Sequence, residues 1–380
     1  MTTRGTLRLA TRSSDLALRQ AASVRDALAG RRQEVELVEV ETRGDQIRDE
    51  LIHRLGKTGA FVRALDEEVL DGAVDAAVHS MKDMPTEGSA DLVVAGVPER
   101  ESAADLLLSP DGTALEDLPH GAVVGTSSLR RKAQLLAERP DLAVEPLRGN
   151  VDTRIEKLLA PGLQAEHERR VEADRDETGE DPVADDEGGD ENGDEDGDED
   201  APEFERSIEE WFDGLAEIER RALEREIDVE YDAIVLAEAG LRRAGLLHHV
   251  EYDRLDPASF VPAPGQGAIA VTARGDADAT ERIRSTLDHP RTRVETTVER
   301  TVLAELGGGC IAPIGVHAKL QGEHVHATTR VLSGDGDEEI QASRDLPVRD
   351  HANAAAEFAA DLADRGADDL IATARETAEE

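Results

Sequence analysis

Arginines recur where a strand gives way to a helix: Arg12 in ATRSS, Arg130 and Arg131 in GTSSLRR, Arg148 and Arg154 in LRGNVDTR, Arg242 and Arg243 in AGLRRAG. In a doubly wound sheet the carboxyl ends of the strands face the ligand crevice, and the helix N-termini there already favour anions. A guanidinium at such a place grips a carboxylate or phosphate bidentately. Each arginine taken singly reads as a surface ion pair; four clusters at equivalent junctions predict a cleft for a ligand with several negative groups. Thr126, Ser127 and Ser128 stand just before the second cluster, with hydroxyls that cap the next helix or bind an anion.

Two further segments hold reactive groups. VDAAVHSMKDMP ends an apolar strand with Lys82 and Asp83 before Met84 and Pro85. Pro85 disfavours the helical conformation at Met84, so the chain stays extended and Asp83 can face the crevice, where a carboxylate stabilises a developing cation or moves protons. The alternative is a Lys–Asp pair that closes a turn, and His79 reads as a packed strand-end residue. Cys310 follows three glycines in GGGCIAP. It is either a buried small hydrophobe or a functional thiol brought close to something large. It is the only cysteine, with no adjacent histidine, so neither a disulfide, a zinc site nor a Cys–His protease is supported. PAPGQGA at 262–268 lacks the dinucleotide fingerprint and reads as a hinge or tight turn.

The elements that must position these groups alternate. Thr6–Ala10, Glu34–Glu41, Ala73–His79 and Leu92–Gly96 read as strands, with helices at Leu16–Ala29 and Phe61–Leu70, the order of an open, mostly parallel α/β sheet. A second set follows: a strand at Ala122–Gly125, a helix at Ser128–Glu138, a strand at Ala143–Leu147, a helix at Val151–Leu159 and a strand at Tyr231–Leu236. The C-terminal part pairs strands near Pro313–Lys319 and His324–Leu332 with a helix at Asn353–Arg365, a smaller α+β unit.

Between the second and third sets, residues 161–203 hold 20 acidic and 3 basic residues and read as a solvated, disordered loop. Behind it Phe204, Ile208, Trp211, Phe212, Leu215, Ile218 and Leu223 recur at helical spacing, an amphipathic helix to about Arg225. It docks on the neighbouring domain or binds a partner. The whole chain of 380 residues carries a net charge of −42, which argues against nucleic acid and anionic membranes as partners. Five of the 43 basic residues are lysine, and this acid-rich, lysine-poor composition is that of a protein adapted to high salt. With no apolar run long enough for a signal peptide or a membrane span, a cytoplasmic location is expected.

The ordered motifs ATRSS at 10–14, TRGD at 42–45, HSMKDMP at 79–85, GTSSLRR at 125–131, LRGNVDTR at 147–154, YDAIVLAEAGLRRAGL at 231–246, PGQGA at 264–268 and GGGC at 307–310 resemble those of the porphobilinogen deaminase (hydroxymethylbilane synthase) family of tetrapyrrole biosynthesis. The resemblance covers nearly the whole chain outside residues 161–229. It implies an α/β fold of two doubly wound domains like type II periplasmic binding proteins, plus a smaller C-terminal α+β domain. The corresponding boundaries are 1–99 with 268–285 for the first, 104–261 for the second, with the acidic insertion at about 161–229, and 290–380 for the third. It implies a transferase that condenses four porphobilinogens head to tail with loss of ammonia, then releases the linear tetrapyrrole by hydrolysis, on the route to porphyrins and heme.

By the same resemblance Cys310 is the attachment point of a covalent dipyrromethane cofactor. Asp83 is the catalytic carboxylate that stabilises the cationic azafulvene formed as ammonia leaves. Lys82, Thr126, Ser128, Arg130 and Arg131 contact the cofactor, while Arg12, Ser14, Arg148, Arg154 and Arg243 bind the acetate and propionate groups of cofactor, substrate and growing chain. Porphobilinogen is the small-molecule partner, no metal is implied and a monomer is expected. One departure is the loop RLGKTGAF at 54–61, where Thr58 stands at a usual lysine position and Lys57 lies one residue earlier. Two other readings compete: a non-catalytic cleft-binding protein for a polycarboxylate ligand, and an interaction protein acting through the acidic insert.

Overall fold

The computed structural model describes residues 5–29, 34–40, 60–178, 204–309 and 312–379. Cys310, the TRGD motif at 42–45, Lys57, Thr58 and the acidic stretch 179–203 lie outside them. The chain is a mixed α/β protein with three sheets. It begins with β1 (Leu7–Thr11), α1 (Asp15–Leu28), β2 (Val35–Glu39), α2 (Ala60–Leu70), β3 (Ala76–Ser80) and β4 (Leu92–Gly96). It then crosses through residues 97–104 to β5 (Asp105–Leu108), β6 (Val123–Gly125), α3 (Leu129–Glu138), β7 (Ala143–Glu145), α4 (Val151–Thr178), α5 (Ile208–Gly214), α6 (Glu217–Leu223), β8 (Ala233–Ala237), α7 (Glu238–Ala244) and β9 (Tyr252–Arg254). Residues 255–268 cross back to β10 (Ile269–Arg274) and α8 (Asp278–Leu287). The rest is α9 (Pro290–Glu305), β11 (Ile314–Gln321), β12 (His324–Leu332), β13 (Glu339–Pro347), α10 (His351–Ala363) and α11 (Ala367–Glu379).

The first two sheets share one plan: β2-β1-β3-β10-β4 and β7-β6-β8-β5-β9. In each, four strands point the same way, and the strand delivered by a crossover, β10 or β5, runs antiparallel to both neighbours. The strands are nearly continuously apolar because both faces are covered. Leu7 and Leu9 pack under α1 and α8, whereas Ala10, next along the strand, joins Leu65 and Val69 of α2 on the opposite face. The third sheet, β11-β12-β13, is antiparallel, with α9, α10 and α11 packed against it through Val298, Phe358 and Ile371.

Two expectations need correction. Residues 161–178 are not loop: α4 runs on through Pro161 to Thr178. The acidic composition read as loop, but over 161–178 docking overrides it. Gln164 Nε2 donates to the carbonyls of Ala222, Leu223 and Arg225, and the Arg170 guanidinium, paired with Glu166, stacks 4.2 Å from the Phe204 ring centre and 5.1 Å from that of Trp211. The helix expected to reach Arg225 is two, α5 and α6, each opened by its own N-terminal glutamate bond to a backbone N–H and separated at Leu215 and Ala216. They bury Trp211, Ile218 and Ala222, which is the docked arrangement rather than a free amphipathic helix.

Candidate active site

The carboxyl ends of the parallel strands set the positions. β1 and β3 pair in parallel, so Arg12 and Ser14, just past β1, share an edge with the turn that follows β3. Ser14 caps α1, its hydroxyl accepting from Ala17 N. The turn at Met81–Asp83 is a single 3-10 turn. Met81 and Met84 are buried on either side, and Met84 is held extended (φ −76°, ψ 134°) ahead of Pro85. With both neighbours anchored inward, Asp83 is left exposed and Lys82 half-buried. His79, as expected, is a packed strand-end residue, bonded to Asp66 and Thr272.

In the second sheet, the ends of β6 and β7 present the second set. Thr126 and Ser128 act as caps: Thr126 Oγ1 accepts from Ser128 N and Ser128 Oγ from Arg131 N. Arg130 and Arg131, in the first turn of α3, both point inward onto Asp105, the first residue of β5, which is fully buried. Arg130 donates to Asp105 Oδ2 at 2.8 Å and to the Val261 carbonyl; Arg131 donates twice to Asp105 Oδ1 and once to the Val235 carbonyl. Burial works to raise the Asp105 carboxyl, but the two guanidiniums hold it down at about 2. One carboxylate against two guanidiniums leaves a buried surplus of positive charge, and Arg130 Nε has no hydrogen-bond partner among the described residues.

The surplus grows toward Asp83. Arg154, early in α4, donates its Nε to Gly149 O, where the backbone turns through φ +114° and only glycine is at ease. Burial, and repulsion from Arg131, push the Arg154 guanidinium down to about 10, while Asp83 acts the other way. Burial also lowers the Lys82 ammonium; Asp83 and Asp105 oppose that, and Arg131 and Arg154 reinforce it. Lys82, Asp83, Asp105, Arg131 and Arg154 thus form one electrostatic cluster spanning both sheets, three cations to two anions. Arg148 is half-buried on the same β7–α4 connection. Arg243 sits apart, in the last turn of α7, where NH2 donates to Gly267 O in the second crossover; Arg242 turns outward to pair with Glu238.

The crossovers carry residues that no motif flagged. Arg100, in the first, makes a bidentate pair with Glu299 of α9 and donates to Gln266 O in the second. Glu299, fully buried, also accepts from Gly265 N and Ala318 N. Gln266 Nε2 donates to Asp105 Oδ1 and Ala103 O. One network therefore runs from the third sheet through both crossovers to the arginines of the cleft. The signal for Asp105 was present: an acid opening the apolar run Leu106–Leu108 is buried with its strand and requires cationic partners. The PGQGA glycines act at this junction. A side chain on Gly267 would meet the Glu101 and Ser102 carbonyl oxygens at 2.6 Å, so the crossovers touch only because it is absent.

Strand ends of two like sheets that bring a buried cationic surplus around one exposed carboxylate suit a ligand of several carboxylates. Comparison with known proteins gives that ligand class a family. A family model described as "Porphobilinogen deaminase, dipyromethane cofactor binding domain" matches residues 7–166 and 215–282, and "Porphobilinogen deaminase, C-terminal domain" matches 294–365. Residues 167–214 fall outside both matches. A "Probable porphobilinogen deaminase" of Halobacterium salinarum is 58% identical over 97% of this chain and 98% of its own length. Proteins of the same description are 36% identical in Methanococcoides burtonii, over 96% of this chain and 95% of theirs, and 38% identical in Methanopyrus kandleri, over 87% and 89%.

Proposed function

The chain belongs to the porphobilinogen deaminase family, and from that membership we propose that the cationic cleft between the first two sheets is where this transferase holds its cofactor and growing chain. The enzyme is a hydroxymethylbilane synthase of tetrapyrrole synthesis with a dipyrromethane cofactor; a non-catalytic polycarboxylate-binding protein is not the reading the family favours. The carrying observation is the cluster of Lys82, Arg131 and Arg154 around Asp83, in which burial lowers the Lys82 ammonium and the Arg154 guanidinium. Such a cluster fits a pyrrole chain bearing two carboxylates on every ring, since each carboxylate supplies the missing counter-charge.

When bound, the dipyrromethane supplies the pyrrole end on which elongation starts. In this proposal Cys310 is its point of attachment, in a loop freed of bulk by Gly307–Gly309. Lys82, Thr126, Ser128, Arg130 and Arg131 hold the cofactor; Arg12, Ser14, Arg148, Arg154 and Arg243 hold the carboxylates of incoming and joined rings. Asp83 keeps a negative charge at the mouth of the cluster, where it stabilises the positive charge that develops on the substrate as ammonia leaves. Arg130 and Arg131, fixed by Asp105, are preorganised and need no reordering on binding.

We further infer that the first two sheets are two domains like type II periplasmic binding proteins, 1–99 with 268–285 and 104–261, and that 290–380 is the third; their common strand order supports this. A monomeric, cytoplasmic enzyme belongs to the same proposal. The deciding measurement is the intact mass of the denatured protein. Wild type is expected to carry a dipyrromethane adduct that Cys310→Ser lacks. Unmodified protein that still consumed porphobilinogen would overturn the attachment.

A further inference from the structure

Arg300 of α9 belongs to the C-terminal unit, yet its guanidinium reaches the turn that carries Asp83. NH1 donates to the carbonyl oxygens of Met81 and Met84, each at 3.2 Å, and NH2 to that of Pro85 at 2.6 Å. These carbonyls bracket Asp83. A one-turn 3-10 segment leaves its last carbonyls without helical partners, so its shape is weakly determined by its own backbone. The opposite side of the turn rests on the second crossover: Met81 N donates to Ala268 O, and Gly265 lies so near Met81 that an added Cβ would stand 2.9 Å from its Cγ.

Arg300 also connects two parts of the proposed chemistry. It sits ten residues before Cys310 on the helix that leads into the glycine loop, and its neighbour Glu299 locks both crossovers. We propose that Arg300 is a positioning residue: it fixes the backbone around Asp83, so that α9 of the C-terminal unit sets where the catalytic carboxylate stands. This rests on the function proposed above. Arg300 itself faces carbonyl oxygens of the turn and acts through Asp83.

The test compares Arg300→Gln and Arg300→Lys with Arg293→Lys. Arg293 lies on the same helix and also reaches the first sheet, donating to Val94 O and pairing with Asp288, away from the turn. Hydrogen exchange of the segment 79–87 reads the turn directly, without turnover. In Arg300→Gln those amides are expected to exchange faster while the rest of the first sheet keeps its protection. The intact mass keeps its adduct, kcat falls about 10²-fold and KM for porphobilinogen stays within about threefold, because a carboxylate displaced by about 1 Å loses the transition state more than the substrate. Arg300→Lys recovers part of kcat and carries the test should Arg300→Gln fail to fold. Arg293→Lys lowers the unfolding midpoint and leaves kcat unchanged. Unaltered exchange at 79–87, or equal kcat losses at Arg300 and Arg293, would overturn the proposal. A wild-type protein without adduct would instead sink the functional reading, with the exchange result still standing.

Discussion

Asp83 is held between two buried methionines, so exchanging its carboxylate for an amide changes charge with little change of shape. Asp83→Asn is therefore expected to unfold at the wild-type midpoint and to lose at least about 10²-fold in turnover, measured as porphobilinogen consumption; wild-type rates would remove it from the mechanism. Asp105→Asn is a different experiment, because it leaves two buried guanidiniums without their counter-ion, at a cost of about 3–5 kcal/mol. Its pH dependence has a definite sign. The Asp105 carboxyl is lowered from 3.8 to about 2 in the folded chain, so the stability it contributes is complete above about pH 4 and disappears as pH falls through 2. Denaturation of wild type and Asp105→Asn should accordingly differ most near neutrality and converge near pH 2. Arg12, Arg130, Arg131, Arg148 and Asp83 were placed by motifs that follow β1, β6, β7 and β3, whereas Arg242 and Arg243 fall in the last turn of α7, away from its junction with β8. Asp105 had a local signal, an acid opening an apolar strand, but its partners lie 25 positions and more away; Glu299 and Arg300 had none, their partners being about 200 positions distant.

At the scale of elements, the paired crossovers and the insertion make opposite predictions. Gly267 turns through φ +83° with the carbonyls of the other crossover against it, so Gly267→Ala incurs strain and forces the crossovers apart. A loss of about 2 kcal/mol or more in stability is expected, read by denaturant unfolding. Deleting residues 179–203 leaves in place the residues that join α4 to α5 and α6, Gln164 and Arg170 among them, and turnover is expected to stay within about twofold of wild type; a severe loss in a folded protein would give the segment a part in catalysis. Seven strands of the first two sheets followed from apolar runs and turn residues, within a few positions, whereas β5, β9 and β10, which the crossovers deliver or pair with, did not. The extended α4 did not, because averaging charge over 161–203 merged a docked helix, which holds every basic residue of that window, with a stretch that has none. β13 and α11 escaped as well: β13 alternates Arg, Asp and Gln with single apolar residues, and α11 buries little beyond Ala367, Ile371 and Ala374.

Over the whole molecule, charge is segregated by sign. A net −42 is carried by a chain whose cleft keeps a buried positive surplus, so at low salt the exterior repels the carboxylate-rich ligand that the interior attracts. Raising salt from about 0.1 M to about 1 M shortens the screening length from about 10 Å to about 3 Å, which relieves the exterior and leaves the desolvated cluster less affected. The unfolding midpoint is expected to rise across that range, and equal midpoints would count against adaptation to salt. The delivery of β10 and β5 across the two crossovers also bears on how the protein is made. β10 lies between β3 and β4, yet its first residue, Ile269, is translated 173 residues after β4 ends at Gly96. At about 5–20 residues per second the ribosome needs roughly 10–35 s to reach it. For that interval the N-terminal sheet has a missing middle strand and two open edges. The nascent chain must be shielded from its neighbours until the second lobe has emerged, and the first lobe cannot be expressed as a contiguous N-terminal fragment.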